Sequence, residues 1–390
     1  MTNWSQNKES ASSGEEPLMG VIRQALADQG GLLSFRDYMQ LCLYHERFGY
    51  YMRKEEKIGR GGDFYTASSV GTLLGEAVGA YAARFAEERE GAWTLAEWGG
   101  GSGRLAGQVL DWLRDSCPEA YGRMTFVSVE VSPYHRRLQA EAWEGHADRV
   151  RFLSEEEWLG EGPRPNALVY SNELPDAMPV YRVVFRRGGW HELAVGWDEA
   201  SGRLTEVERP VPGSGELAAF IEREGLPRRE GQRFEIPLDA LAWLRRISPS
   251  LAEGGVLLTI DYGCEREELY AEHRMNGTLL CYHSHRASDT PLVAPGSRDI
   301  TSHAAFSALI AEGRRGGLKA EALLTQKEFL VRYGRVLEKL QDHEARDPFS
   351  PAARRNRAIR QLLVSDGMGE LFKVLIQIKG EARSGRTPEV

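Results

Sequence analysis

Apolar positions recur along the chain with two periods, and the points where the period changes outline alternating helices and strands. Between Pro17 and Phe48, Val21, Ile22 and Leu26, then Phe35, Tyr38, Met39, Cys42 and Leu43, fall three and four places apart. This spacing predicts two helices divided at Gly30-Gly31, with Ser34 capping the second. Val70 to Glu87 predicts another amphipathic helix, with Leu73, Leu74, Ala77, Val78, Tyr81 and Phe85 on one face. Short apolar runs follow at Thr94 to Trp98, Met124 to Val129, Val150 to Leu153, Ala167 to Tyr170, Val256 to Ile260, Leu318 to Leu324 and Phe372 to Ile378. Runs of strand length alternating with helical patterns predict an α/β fold on a mostly parallel sheet. Helical periodicity is also predicted over Glu328 to Leu340.

The segment 180–237 breaks this alternation. Val183, Phe185, Trp190, Leu193 and Val195 flank Gly188-Gly189 and predict a β-hairpin, while Ser201 to Gly231 is charged and rich in proline and glycine. It reads as an insertion on the substrate side of an α/β core spanning 94–380. A helical or lid segment at 17–93 precedes that core, and polar tails lie at 1–16 and 381–390.

Composition narrows the function classes. The 390 residues are 42% hydrophobic and 27% charged, as in globular proteins, and the net charge of -8 argues against a general nucleic-acid binder. No apolar run reaches membrane-spanning length, and the polar N-terminus resembles neither a signal nor a transit segment. Cys42, Cys117, Cys264 and Cys281 are scattered without ligand spacing, which predicts reduced thiols in a cytoplasmic protein. His283 and His285 share one face of a strand, but no third ligand accompanies them and no metal is assigned.

Candidate chemistry gathers after three strands. Gly99, Gly101 and Gly103 form a bare turn after Thr94 to Trp98, and Ser102 is placed to cap the helix that follows. The dinucleotide fingerprint needs a glycine where this chain has Arg104. Glu130 closes the next strand, where a carboxylate can accept both hydroxyls of a ribose. After Ala167 to Tyr170, the loop from Ser171 to Pro179 carries Asn172, Glu173 and Asp176 on a backbone restricted by Pro175 and Pro179. It reads either as a holder for an acceptor in line with a cofactor or as a rigid structural turn. The glycine-rich Ile58 to Thr66 reads either as a surface loop or as a lid touching the cofactor through Asp63 or Tyr65.

Glycine turn, ribose acid and polar loop together fit a transferase using S-adenosylmethionine, since alignment and exclusion of water are what that chemistry asks of a protein. A guanidinium acceptor would pair with Glu173 and Asp176, whose carboxylates match its forked donors.

The chain resembles the MidA family, also called the mitochondrial complex I assembly methyltransferase family, from about Gly20 to Gly380. The likeness is carried by GDFYTASS at Gly62 to Ser69, AEWGGGSGRLA at Ala96 to Ala106, VEVSPYHRRLQ at Val129 to Gln139, SNELPDAMPV at Ser171 to Val180 and IDYG at Ile260 to Gly263. GTLLCYHSH, the DIT of Asp299 to Thr301, TQKEFL and GMGELFKVL follow in family order. The resemblance implies a class I methyltransferase fold, Rossmann-like, with a seven-stranded sheet whose last strand is antiparallel. It implies S-adenosyl-L-methionine as cofactor and S-adenosyl-L-homocysteine as product, held by Gly99, Gly101, Gly103 and Glu130 and covered by Asp63 and Phe64. Asn172, Glu173 and Asp176 would be the catalytic-side residues. The mitochondrial branch implies a protein substrate, an arginine of a respiratory complex I subunit. The family usually carries proline and arginine where this chain has Gly100 and Ser102, and phenylalanine where it has Pro175. A small-molecule methyltransferase and a non-catalytic assembly protein that binds the cofactor stay open, as does a homodimer; an NAD-dependent oxidoreductase fits least.

Overall fold

The computed structural model describes residues 15–54, 71–283, 286–340, 350–364 and 371–380, which divide into two compact units. The larger unit is built on the apolar runs. Across its sheet the strands lie in the order Val150–Leu153, Met124–Val129, Trp93–Trp98, Ala167–Asn172, Val256–Cys264, Phe372–Lys379 and Leu318–Thr325. The five strands from Val150–Leu153 to Val256–Cys264 pair parallel, and Phe372–Lys379 is antiparallel to both its neighbours. Ala304–Ala305 adds a short eighth strand beside the end of Val256–Cys264. The predicted α/β sheet with an antiparallel last strand is therefore the observed one.

Parallel strands need crossovers, and helices supply them. Leu73–Glu87 and Arg104–Ser116 pack one face of the sheet through Leu74, Val78, Leu105, Val109 and Leu113, all at most 4% exposed, around Leu95, Phe126 and Leu258. Full burial of each such side chain contributes roughly 1.5–3 kcal/mol before chain entropy is counted. Ser132 caps Pro133–Ala142, with proline at its first position, and Ser154 with Glu157 forms a capping box at Glu155–Gly160. The acidic triplet at 155–157 thus starts a helix. Gln326–Arg332 is shorter than the predicted Glu328 to Leu340, because the chain turns at Gly334, where an added Cβ would meet the Leu330 carbonyl at 2.6 Å.

The smaller unit takes its described residues from 15–54, 179–236, 275–283 and 286–301. The helices Glu15–Asp28 and Phe35–Tyr44 share a core with Val180, Val195, Cys281 and Ile300, and Ser34 caps the second helix as expected. Its antiparallel sheet contains the predicted hairpin, Tyr181–Arg186 with Gly189–Asp198. The turn is Arg187-Gly188, one place earlier than expected, since a two-residue hairpin turn of this kind needs positive φ at both positions and these residues have 54° and 75°. The charged stretch after residue 201 contains the strand Arg203–Pro210 and the helix Glu216–Glu224. Its charges are paired across strands: Arg209 bonds Glu192 twice, at 2.9 and 3.0 Å, and Arg186 bonds Glu208.

Candidate active site at the strand ends

Register brings the candidate residues of the larger unit to one edge of its sheet. Trp98 pairs with Val129 on one side and Ser171 on the other, and Ser171 pairs with Thr259. The residues that continue from this row are Gly99, Glu130, Asn172 and, one place further on, Asp261. In open α/β sheets this carboxyl edge is where ligands collect.

Gly99, Gly101 and Gly103 have φ of 67°, 54° and 79°, a region that side chains with a Cβ rarely adopt. The helix begins at Arg104 with Gly103 as its cap residue and no side-chain cap bond, so Ser102 does not cap it. Three left-handed glycines carry the chain through the turn and delay the helix by one residue, leaving its first-turn N–H groups without a side-chain partner. An added Cβ at Gly103 would meet the Trp143 ring at 2.7 Å, whereas at Gly101 it would meet nothing within 4 Å. The turn is therefore closed on the protein side and open on the other.

Neighbouring elements hold it there. Gln139 Nε2 donates to the Gly101 carbonyl at 2.8 Å while its Oε1 accepts from Ser128 Oγ at 2.6 Å, and Trp143 Nε1 donates to the Gly103 carbonyl at 2.8 Å. Glu130 Oε2 accepts from the Gly101 N–H at 3.0 Å and its Oε1 from the Ser132 N–H at 2.8 Å. Both oxygens are thus oriented by backbone donors and keep further lone pairs. Burial raises the Glu130 pKa, and those backbone donors pull the other way. The adjoining Val131 is 66% exposed, an apolar face beside the carboxylate.

Glu97, Gln139 and Trp143 were not singled out by the sequence reading. Glu97 is 1% exposed at the centre of the sheet, its Oε2 has no partner among the described residues, and burial pushes its pKa up to about 8. Its signal was available: an acid inside the apolar run Thr94 to Trp98, two residues before Gly99. Gln139 and Trp143, four apart on the helix after Glu130, carried only an ordinary helical period.

The polar loop begins where Ala167–Asn172 ends. Glu173 takes φ of 51°, unusual for a residue with a side chain, and its N–H donates to the Ile260 carbonyl at 2.9 Å. Leu174 follows and lies over the glycine turn, its Cδ1 2.8 Å from where a Gly99 Cβ would stand. Pro175–Ala177 then makes a single 3₁₀ turn that buries Asp176 to 4% exposure. Asn172, Glu173 and Asp176 are thus brought together, with Asn172 Nδ2 donating to Glu173 Oε1 at 3.2 Å. Asp261 joins them: its Oδ2 accepts from the Asp176 N–H at 3.0 Å and its Oδ1 from the Tyr262 N–H at 2.8 Å. Burial raises Asp176 to about 6, against a hydrogen bond from the Tyr262 side chain, and burial together with the Asp176 charge raises Asp261 well above its ordinary value. Asp176 Oδ1 and Asn172 Oδ1 are buried without a partner among the described residues.

Asp63, Phe64 and the rest of Ile58 to Thr66 lie outside the described residues, as does His285. Among the described residues there is no group of three or more His, Cys, Asp or Glu placed to hold a metal ion. No described helix is long and apolar enough to cross a membrane. A glycine turn open on one side, helix N–H groups, an oriented carboxylate and an exposed valine suit a nucleoside with hydroxyl donors, so these residues fit the cofactor.

Comparison with known proteins points the same way. Residues 77–323 match the model of a family described as "Putative S-adenosyl-L-methionine-dependent methyltransferase". Among curated proteins, the mitochondrial protein arginine methyltransferase NDUFAF7 of Danio rerio is 25% identical over 95% of this chain and 89% of its own length. The Drosophila melanogaster homologue is 29% identical over 83% of this chain and 76% of its own length. A superfamily member from Burkholderia thailandensis, crystallised with S-adenosyl-homocysteine bound, is 30% identical, covers 98% of this chain and 96% of its own, and superposes with a TM-score of 0.83. These relatives overturn the cytoplasmic expectation, since both NDUFAF7 proteins are named as mitochondrial. The four free cysteines were the ground for that expectation, and free thiols report a reducing surrounding without saying which compartment provides it.

Proposed function

This chain belongs to the S-adenosyl-L-methionine-dependent methyltransferase family matched by its residues 77–323, and on that premise we propose that it methylates a protein side chain, the guanidinium of an arginine. The enzyme uses S-adenosyl-L-methionine, which when bound supplies an electrophilic methyl group on a sulfonium sulfur, and forms S-adenosyl-L-homocysteine. In this reading Gly99, Gly101 and Gly103 admit the cofactor close to the backbone, Glu130 accepts its ribose hydroxyls, and Val131 offers the adenine an apolar surface.

The acceptor side is Asn172, Glu173 and Asp176. The observation that carries the arginine reading is the buried, unpartnered Asp176 Oδ1, on the loop whose Leu174 overlies the glycine turn. An unpaired buried carboxylate oxygen is costly, and a planar cation with forked N–H donors satisfies it while Glu173 holds a second edge. Asp176 is then placed to take the proton that the acceptor nitrogen releases. The names of the curated relatives, protein arginine methyltransferases, support the same acceptor, and the family resemblance adds a respiratory complex I subunit as its carrier.

The test is to incubate the purified protein with methyl-labelled S-adenosylmethionine and a lysate, then hydrolyse the labelled protein and separate its amino acids. Label in methylarginines, absent with Asp176→Asn, is expected. Label in another amino acid or in small molecules alone would overturn the arginine assignment and leave the methyltransferase one standing.

A further inference from the structure

The IDYG stretch, Ile260 to Gly263, has no part in the chemistry assigned so far. It ends the strand Val256–Cys264, directly beside the strand that launches the acidic loop, and Ile260 pairs with Asn172. Its contacts converge on one residue. Asp261 Oδ2 takes the Asp176 N–H at 3.0 Å, and the Tyr262 hydroxyl hydrogen-bonds the Asp176 carboxylate. On the far side of the turn the Ser302 N–H donates to the Asp176 carbonyl at 3.0 Å.

Each of these contacts is itself braced. Asp261 is fully buried, and its second oxygen is occupied by the Tyr262 N–H at 2.8 Å, which leaves its carboxylate little freedom to rotate. The Tyr262 ring packs edge-on against His303 at 5.4 Å and Phe372 at 5.6 Å. Gly263 brings the strand so close to its neighbour that an added Cβ would meet the Ala304 carbonyl oxygen at 2.2 Å. Asp176 is thus held at its N–H, its carbonyl and its carboxylate by three different residues, and the oxygen that none of them takes is Oδ1.

We infer that Asp261 and Tyr262 are positioning residues, which clamp Asp176 so that its Oδ1 faces the transferred group and the cationic acceptor. This rests on the methyltransferase reading given above. It also separates two functions among the acids of the site: Asp176 and Glu173 meet the acceptor, whereas Asp261 orients Asp176 through a backbone N–H.

Sinefungin tests this without knowledge of the acceptor, because it carries an ammonium-bearing carbon where the cofactor carries its methylated sulfur, and S-adenosylhomocysteine carries only an uncharged thioether sulfur there. Calorimetric titration of the full-length protein with each compound reads the charge facing that position as a ratio of two affinities. Wild type is expected to prefer sinefungin by about tenfold, and Asp176→Asn to bind both compounds about equally. Tyr262→Phe, which keeps the ring packing, is expected to reduce the preference about threefold or more with S-adenosylhomocysteine affinity unchanged. Asp261→Asn is expected to do the same, and where it fails to fold Tyr262→Phe decides.

Full preference retained in Tyr262→Phe and in folded Asp261→Asn would overturn the inference. A parallel fall in both affinities would also overturn it, since that marks general loosening. Wild type that binds both compounds without preference would sink the clamp and leave the methyltransferase reading intact. Folded wild type that binds neither would overturn both.

Discussion

At the end of Trp93–Trp98 the polar groups of the turn are answered from within the chain: the carbonyls of Gly100, Gly101 and Gly103 each accept a hydrogen bond, and both oxygens of Glu130 are engaged. At the end of the adjacent Ala167–Asn172, the loop instead holds Glu173 in a left-handed conformation and leaves Asp176 Oδ1 and Asn172 Oδ1 buried and unpaired. Apart from the buried Glu97 Oε2 and the first-turn helix N–H groups, the first turn is satisfied within the chain, while the second loop keeps two buried acceptor oxygens unsatisfied. Under the proposed assignment of cofactor to the first and acceptor to the second, the contrast matches the demands on each. A cofactor is the same molecule in every turnover and repays a rigid cradle, whereas an acceptor must be desolvated and held only while it reacts.

The strongest way to break this comparison is Gly103→Val. Left-handed backbone and a Cβ 2.7 Å from the Trp143 ring together predict a loss of about 3–5 kcal/mol in urea unfolding, with loss of cofactor binding in calorimetry. Wild-type stability in that variant would mean that the turn is soft.

Glu97 tests the buried floor of the same turn. Its folded pKa of about 8 lies above the ordinary 4.5, so the folded protein favours the protonated form; the resulting stability is present at low pH and lost as pH rises through about 8. Glu97→Gln should therefore gain on wild type by roughly 3–4 kcal/mol between pH 5 and 8.5. A constant difference across that range in parallel urea melts would refute it.

Asp176→Asn sharpens the contrast, because on the acceptor side neutralising a charge is expected to stabilise. Asp176 is raised to about 6 from 3.8, so wild type loses stability as pH climbs through that window. The variant should be about 1–2 kcal/mol more stable at pH 8. A lower melting temperature than wild type at that pH would show that Asp176 is structural. The smallest effect is at Ser132, which caps the helix after Glu130 by accepting from the His135 N–H at 3.4 Å. Ser132→Ala should cost about 1 kcal/mol and weaken S-adenosylhomocysteine binding only a few-fold.

Much of this was legible from the sequence because its signals are local. Apolar runs of strand length located all seven strands of the main sheet path, and Ser34 and Ser132 stand where caps of helices belong. Ser102 misled because its cap signal is also local, and three left-handed glycines moved the helix start past it. The strand and helix of the charged stretch after residue 201 were not legible, because its charges are paired with partners more than fifteen positions away, such as Glu192 with Arg209.

What the sequence determined by itself was the set of strands and helices and the residue types delivered after each strand, since periodicity, capping and glycine conformation act within a few residues. What only the tertiary structure decided was which delivered residues meet. Asp261 stands 85 positions from Asp176 and Gln139 stands 38 from Gly101, and no local rule couples them. Strand order and register place them within hydrogen-bond distance. That same packing removes water from Glu97, Asp176 and Asp261, and so gives three acids that are ordinary in the sequence their raised pKa values.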